Sequence, residues 1–225
     1  MSLKNTDFGL QIQSTKVSPD EFDQDQHYTI INPDIGTARL GTATMTGDGL
    51  GTIVVGQPFL DAPRTVTFSL LGVAGGMGGT VDLRGKDQFG NVITESTGFA
   101  TAAGGGTAQG TKVFSRIGTA TFTIAGLGGT AIGSAYLGYP LGDVAMKVGL
   151  PAKLAAASDL KRVTWHDAGV SKALTVGSGG TIGTAVAGTA DSSVTLTGLA
   201  GFATADSYTF TFRSTFRADT DQFTT

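Results

Sequence analysis

The sequence predicts an all-β protein, a β-sandwich or β-barrel-like domain with long Gly-rich loops and an N-terminal arm. Three observations predict it. First, apolar residues recur at every second position in short runs: Val66, Phe68 and Leu70; Val81 and Leu83; Tyr208, Phe210 and Phe212. Strands impose that period, because successive side chains point to opposite faces. Second, glycine supplies 35 of 225 residues. That is about twice its usual share, and each interior glycine costs a helix roughly 1 kcal/mol relative to alanine. Third, the short runs return at roughly 10-residue spacing with turn residues between them, the pattern of a sandwich or barrel.

The elements follow in order. Residues 1–27 are polar and weakly patterned, and read as an arm ordered against a partner. Residues 28–225 read as one β-rich domain, since strand patterning resumes beyond each Gly-rich stretch. Tyr28-Thr29-Ile30-Ile31 is the first strand, stopped by Asn32-Pro33-Asp34. Residues 36–56 are rich in Gly, Thr and Ala and end in the apolar Ile53-Val54-Val55. Residues 65–70 alternate cleanly, with hydroxyls opposite Val66, Phe68 and Leu70. Residues 72–79 form a loop into the segment TVDLRGKDQFGNVITES at 80–96. This segment is strand, turn, strand: Asp87 and Asn91 bond local backbone, Gly90 accepts φ > 0, and Val92-Ile93-Thr94 resumes a β-prone run. Residues 101–111 read as a flexible loop. Lys112-Val113-Phe114 and Thr121-Phe122-Thr123-Ile124 are further strands, and residues 126–139 are again Gly-rich. Met146, Val148 and Leu150 make a strand that Pro151 ends. Residues 152–160 are the best helix candidate. Val163-Thr164-Trp165-His166 is a strand turning at Asp167-Ala168-Gly169. Residues 171–190 hold one or two weak strands, Val194 and Leu196 mark another, and Tyr208, Phe210 and Phe212 the last. The expected core is Val66, Phe68, Leu70, Val81, Leu83, Phe122, Ile124, Trp165, Val194, Leu196, Phe210 and Phe212. The tripeptide Gly-Thr-Ala recurs at Gly36, Gly41, Gly106, Gly118, Gly129, Gly183 and Gly188. Its spacing is irregular, so it marks composition rather than a solenoid.

Composition narrows the function. The net charge is −3 and the cations are scattered, so no positive footprint for a phosphate backbone is visible and no direct nucleic-acid partner is expected. There is no cysteine, which removes disulfides and thiolate metal sites. The first fifteen residues lack the apolar core of a signal peptide, and no apolar run approaches the roughly 20 residues of a membrane span. The product is expected to accumulate in the cytoplasm of the cell that makes it, with no membrane partner.

Gly47-Asp48-Gly49-Leu50-Gly51 and residues 72–79 look like phosphate loops, but strands follow them where a dinucleotide fingerprint needs a helix, and no Walker A lysine is present. Asp20, Glu21, Asp23 and Asp25 precede His27. Asp23, Asp25 and His27 would share one strand face, where oxygens could hold a hard cation. A solvated acidic run is the commoner fate of such a cluster. His166 and Asp167 adjoin Trp165, but neighbours on a strand face opposite ways, so they cannot form an oriented base. No nucleophile elbow exists. The expected set of catalytic, cofactor and metal residues is therefore empty, and no enzyme activity is expected. The stripe of Tyr208, Phe210 and Phe212 reads as core, with an exposed stacking platform as the alternative.

Several phrases occur in a telling order: APRTVTF at 62–68, GTV at 79–81, GKDQFGN at 85–91, Thr94-Glu95, KVF at 112–114, VGLPAKL at 148–154 and DSYTFTF at 206–212. Together they resemble tailed-phage and prophage virion structural proteins over roughly residues 53–217. The resemblance implies a capsid decoration (cement) protein that binds and stabilises the major capsid shell and forms a homo-oligomer such as a trimer. It implies localisation in the virion, and no catalytic residues or cofactors. Tail and head–tail connector parts share this β-rich style and are the alternative, with a carbohydrate-binding or adhesive module the rival class.

Overall fold

The computed structural model describes residues 4–5, 10–14, 22–31, 36–45, 48–71, 78–100, 105–126, 133–139, 146–177, 184–199 and 206–216. The fold is all-β. The chain makes two compact units, one of Met1–Pro33 with Leu150–Thr225 and one of Asp34–Gly149. The strands in chain order begin with β1 (Lys4–Asn5), β2 (Leu10–Ser14) and β3 (Phe22–Ile31). Next come β4 (Gly36–Met45), β5 (Gly49–Val55), β6 (Phe59–Arg64), β7 (Thr67–Leu71), β8 (Gly78–Lys86) and β9 (Val92–Ala100). Then follow β10 (Gly105–Gln109), β11 (Phe114–Ala125), β12 (Gly133–Tyr139) and β13 (Met146–Gly149). The last are β14 (Leu160–Asp167), β15 (Val170–Val176), β16 (Thr184–Gly188), β17 (Ser193–Thr197) and β18 (Ser207–Phe216).

In the unit of Asp34–Gly149, two sheets face each other. One orders its strands β10–β7–β12–β4, all antiparallel. The other orders them β9–β8–β11, with β5 and β6 lying end to end along the far side of β11. Strand β5 joins the two: Gly49–Ile53 pair with β11, and Val54 and Val55 pair with β4. The alternation read in the sequence supplies the filling. Val66, Phe68 and Leu70 from one sheet meet Val81, Leu83, Phe99, Phe122 and Ile124 from the other. The Phe68 ring centroid lies 5.1 Å from that of Phe99 and 5.8 Å from that of Phe122. Gly51 faces this core because a Cβ there would stand 2.2 Å from Cζ of Phe122.

The other unit is built on the ladder β2–β3–β18–β14–β15, with β1 beside β2. A short parallel contact joins β15 to β16, and β17 closes antiparallel on β16. Rows of buried side chains cross the middle strands: Ile30, Tyr208 and Trp165 in one row; Tyr28, Phe210 and Val163 in the next. The opposite face carries hydroxyls, with Thr29 and Thr209 bonded at 3.2 Å.

All twelve expected core residues are buried. Several elements differ from the sequence reading. The strand read over Tyr28–Ile31 is preceded by β1 and β2 and itself begins at Phe22, because β18 offers a ladder that runs from Ser207 to Phe216. Residues 22–27, assigned above to an arm, therefore lie in β3, and Gln26 is buried. Residues 1–3, 6–9 and 15–21 of that segment lie outside the described residues, as do Asn32-Pro33-Asp34 and 72–77. Residues 105–109 and 133–139, read as Gly-rich loop, are strands paired to β7. The helix expected over 152–160 is absent. A single 3-10 turn at Ala157–Asp159 stands there. The Asp159 carboxylate accepts from the N–H groups of Ala155 and Ala156, and Leu154 N–H donates to Ser192 Oγ, so the local donors are taken outside a helix.

Candidate interaction surface

The site is built on the hairpin of β8 and β9. Asp87 shapes its turn: Oδ1 accepts from the N–H groups of Phe89 and Asn91 at 2.8 Å each, and Asn91 Nδ2 donates to Oδ2 at 2.9 Å. Gly90 adopts φ 84 and its N–H donates to the Asp87 carbonyl. This fixes the register Lys86↔Val92 and Arg84↔Thr94. Strand β11 continues the rows, with Arg116↔Lys86 and Thr119↔Arg84, and β6 adds Phe59↔Arg116. One row across four strands therefore reads Phe59, Arg116, Lys86, Val92, and Arg84 stands in the next row.

That row faces away from the core. Phe59 is 68% exposed and Val92 60% exposed. The Arg116 guanidinium lies 5.0 Å from the centroid of the Phe59 ring, a cation–π contact. Between the side chains runs an open groove of about 270 Å³ lined by Arg84, Lys86, Val92 and Arg116 over Gly85 and Gly118. A register shift between Ile117 and Thr119 bends β11 there. Gly85 permits the close approach, since a Cβ would stand 2.0 Å from the Arg116 carbonyl oxygen. Among the described residues, no carboxylate lies within ion-pair distance of Arg84, Lys86 or Arg116. Chemically the groove can attract anionic groups and cover apolar ones. Its lining also includes the Thr119 hydroxyl.

Two buried polar clusters support this unit. Glu95, 8% exposed, receives Thr111 N–H, Thr111 Oγ1 and Lys112 N–H on Oε1, and Lys112 Nζ donates to the Thr94 carbonyl at 2.6 Å. This clasps the loop before β11 to β9. Arg64, 1% exposed, donates from Nη2 to Asp61 Oδ2 at 2.8 Å and lies 3.4 Å over the Tyr139 ring. Burial, with Asp61 beside it, pushes the Tyr139 hydroxyl up to about 12, and the Arg64 charge opposes that shift only in part.

The residues singled out from sequence do not converge. His27 Nδ1 lies 3.1 Å from Thr211 Oγ1. His166 Nδ1 lies 2.8 Å from Ser171 Oγ, while Asp167 turns to Lys172. That separation is what strand alternation requires. Trp165 packs inward, and its Nε1–H donates to Asp206 Oδ2 at 3.0 Å. Asp20 and Glu21 lie outside the described residues. Among the described residues no group of three or more His, Asp or Glu is placed to hold a metal ion. No described helix is long and apolar enough to cross a membrane. The stripe of Tyr208, Phe210 and Phe212 is core. Neither Phe59 nor Arg116 was singled out from the sequence. The alternation of Val81 and Leu83 with Asp82 and Arg84 puts Arg84 on an outward face, but only the strand register brings Lys86, Arg116 and Phe59 beside it.

No protein-family model and no curated protein matches this chain.

Proposed function

We propose that the chain is a structural component of a tailed-phage particle: a capsid decoration protein that binds the assembled shell of the major capsid protein and stabilises it. The row Phe59, Arg116, Lys86, Val92 carries this reading. Small-molecule sites are concave and bury most of their ligand. An open strip of exposed apolar and cationic side chains on a sheet face fits a broad protein surface instead. The ordered phrases between residues 62 and 212 supply the kind of particle. In this reading the protein has no turnover of its own, works in the virion, and acts as a homo-oligomer, since shell components are symmetric.

Co-sedimentation with purified expanded shells tests it. Binding should saturate at a fixed number of copies per capsomer. A tail or head–tail part would instead co-fractionate with tails. An adhesive module, which the exposed Phe59 ring would suit as a sugar platform, would bind neither and would bind glycans.

A further inference from the structure

Strand β9 ends the sheet β9–β8–β11. Its ladder with β8 runs without a shift from Lys86↔Val92 to Gly78↔Ala100. The hairpin turn decides which backbone groups that ladder uses. Asp87 N–H donates to the Asn91 carbonyl, so that pair is a hydrogen-bonded one. Antiparallel pairs alternate between bonded and non-bonded. Arg84↔Thr94, Asp82↔Ser96 and Thr80↔Gly98 are therefore non-bonded pairs, and the N–H and C=O groups of Thr94, Ser96 and Gly98 point away from β8. The exposed Lys112 ammonium agrees, since it donates to the Thr94 carbonyl at 2.6 Å. Strand β10, next in the chain, pairs with β7 of the other sheet instead. Among the described residues no backbone group meets Ser96 or Gly98 on that side.

An edge this long and regular is a pairing site unless it is blunted. Strand β9 reads Val-Ile-Thr-Glu-Ser-Thr-Gly-Phe-Ala, with no proline, no bulge and no outward charge. Its one charged residue, Glu95, turns inward and accepts from the N–H groups of Thr111 and Lys112. The guard at the edge is Lys112, whose bond to Thr94 a strand N–H can replace. We propose that β9 of one copy pairs antiparallel with β9 of a second copy about a two-fold axis at Ser96. Ser96 is the middle residue of nine, so this register uses the whole strand. It sets Thr94 opposite the second copy's Gly98, and Ser96 opposite the second copy's Ser96, as bonded pairs. The same patch serves both copies, so the contact is isologous and closes as a dimer. Asp82 stands beside Ser96 in the row. Its counterpart in the second copy lies three strand intervals away, about 14 Å, beyond the Debye length at physiological salt. The pairing lies in the plane of the sheet and leaves the outward side chains of Phe59, Arg116 and Lys86 uncovered. It deepens the homo-oligomer part of the function proposed above and rests on it.

The test uses the full chain without shells, which separates it from failure of the capsid reading. Sedimentation equilibrium should show monomer and dimer with nothing larger. The chain has no cysteine, so Ser96→Cys places one thiol on each copy. Residues opposite each other in a bonded pair have Cα atoms about 5.5 Å apart, within the reach of a disulfide. Mild oxidation with copper phenanthroline in air should convert most of this variant to a covalent dimer. Thr123→Cys, exposed on the inner strand β11, should remain uncross-linked. Ser96→Pro removes an N–H that the β8 ladder does not use, and should weaken the dimer at least about tenfold. An unchanged circular dichroism spectrum and melting point would exclude misfolding. Ser96→Lys sets two ammonium groups face to face at the axis and should weaken the dimer in the same way, without the backbone change. A wild-type chain that stays monomeric, a trimer or larger ring, equal cross-linking of the two cysteine variants, or a dimer indifferent to Ser96→Lys would overturn the proposal. A chain that is monomeric throughout but loses shell binding on Ser96→Lys would give the edge to a strand of the shell, and would overturn it as well.

Discussion

Phe210 shows how one position carries a unit. Its side chain is fully buried, and its ring centroid lies 6.0 Å from that of Tyr28. Phe210→Ala should cost about 3–5 kcal/mol in urea unfolding, because the cavity adds to the lost transfer energy. A loss below roughly 0.5 kcal/mol would place the residue on the surface. This burial was legible from alternation alone. The polar residues buried in the same molecule were not: Glu95 and Asp206 satisfy partners up to 41 positions away in sequence, and Arg64 reaches Met146, 82 positions away, which no local pattern records. Glu95→Ala strands the N–H groups of Thr111 and Lys112, so a loss of about 1–3 kcal/mol is expected, with faster amide exchange at both. Tyr139 gives a pH signature. Its folded hydroxyl titrates near 12 against about 10 unfolded. Between those values the unfolded chain loses a proton that the folded chain keeps, so stability falls as pH rises from 10 to 12 and is unaffected below 10. The Tyr139 contribution to that fall should reach about 2–3 kcal/mol. Tyr139→Phe should remove it, as read by urea midpoints across that pH range.

At the scale of elements, strand existence followed from period-2 alternation wherever side chains were large. It failed where strands are built of small residues. Residues 105–109 and 133–139 carry many Gly, Ala and Ser, and they are strands because β7 offers both of its edges. Tertiary pairing overrides weak β propensity there. The same cause moved the start of β3 from Tyr28 to Phe22. Removing residues 1–26 strips half of β3 from β18, together with buried Gln26, so the melting temperature should drop by several degrees. An unchanged melting temperature would restore the view of residues 22–26 as a detachable arm. The hairpin turn gives a second expectation. Asp87→Ala loses acceptors for two N–H groups and one side-chain amide and should cost about 1 kcal/mol. The groove was legible only at Arg84, which alternates with Val81 and Leu83 in TVDLRGK, whereas Lys86, Arg116 and Phe59 join it through register.

For the whole molecule, the row that matters lies on one sheet face of the unit of Asp34–Gly149, where cationic and apolar side chains stand together. A protein that binds only an assembled shell shifts that shell toward the assembled state, by an amount that grows with the logarithm of ligand concentration once sites begin to fill. Arg84→Glu with Lys86→Glu is expected to leave the fold intact, since surface substitutions away from buried features stay within about 0.5 kcal/mol. The most direct test of the account is the disassembly temperature of purified expanded shells, measured by light scattering with increasing amounts of the full chain. The disassembly temperature should rise with concentration and level at a fixed copy number per capsomer. A disassembly temperature that does not move at saturating protein would contradict it.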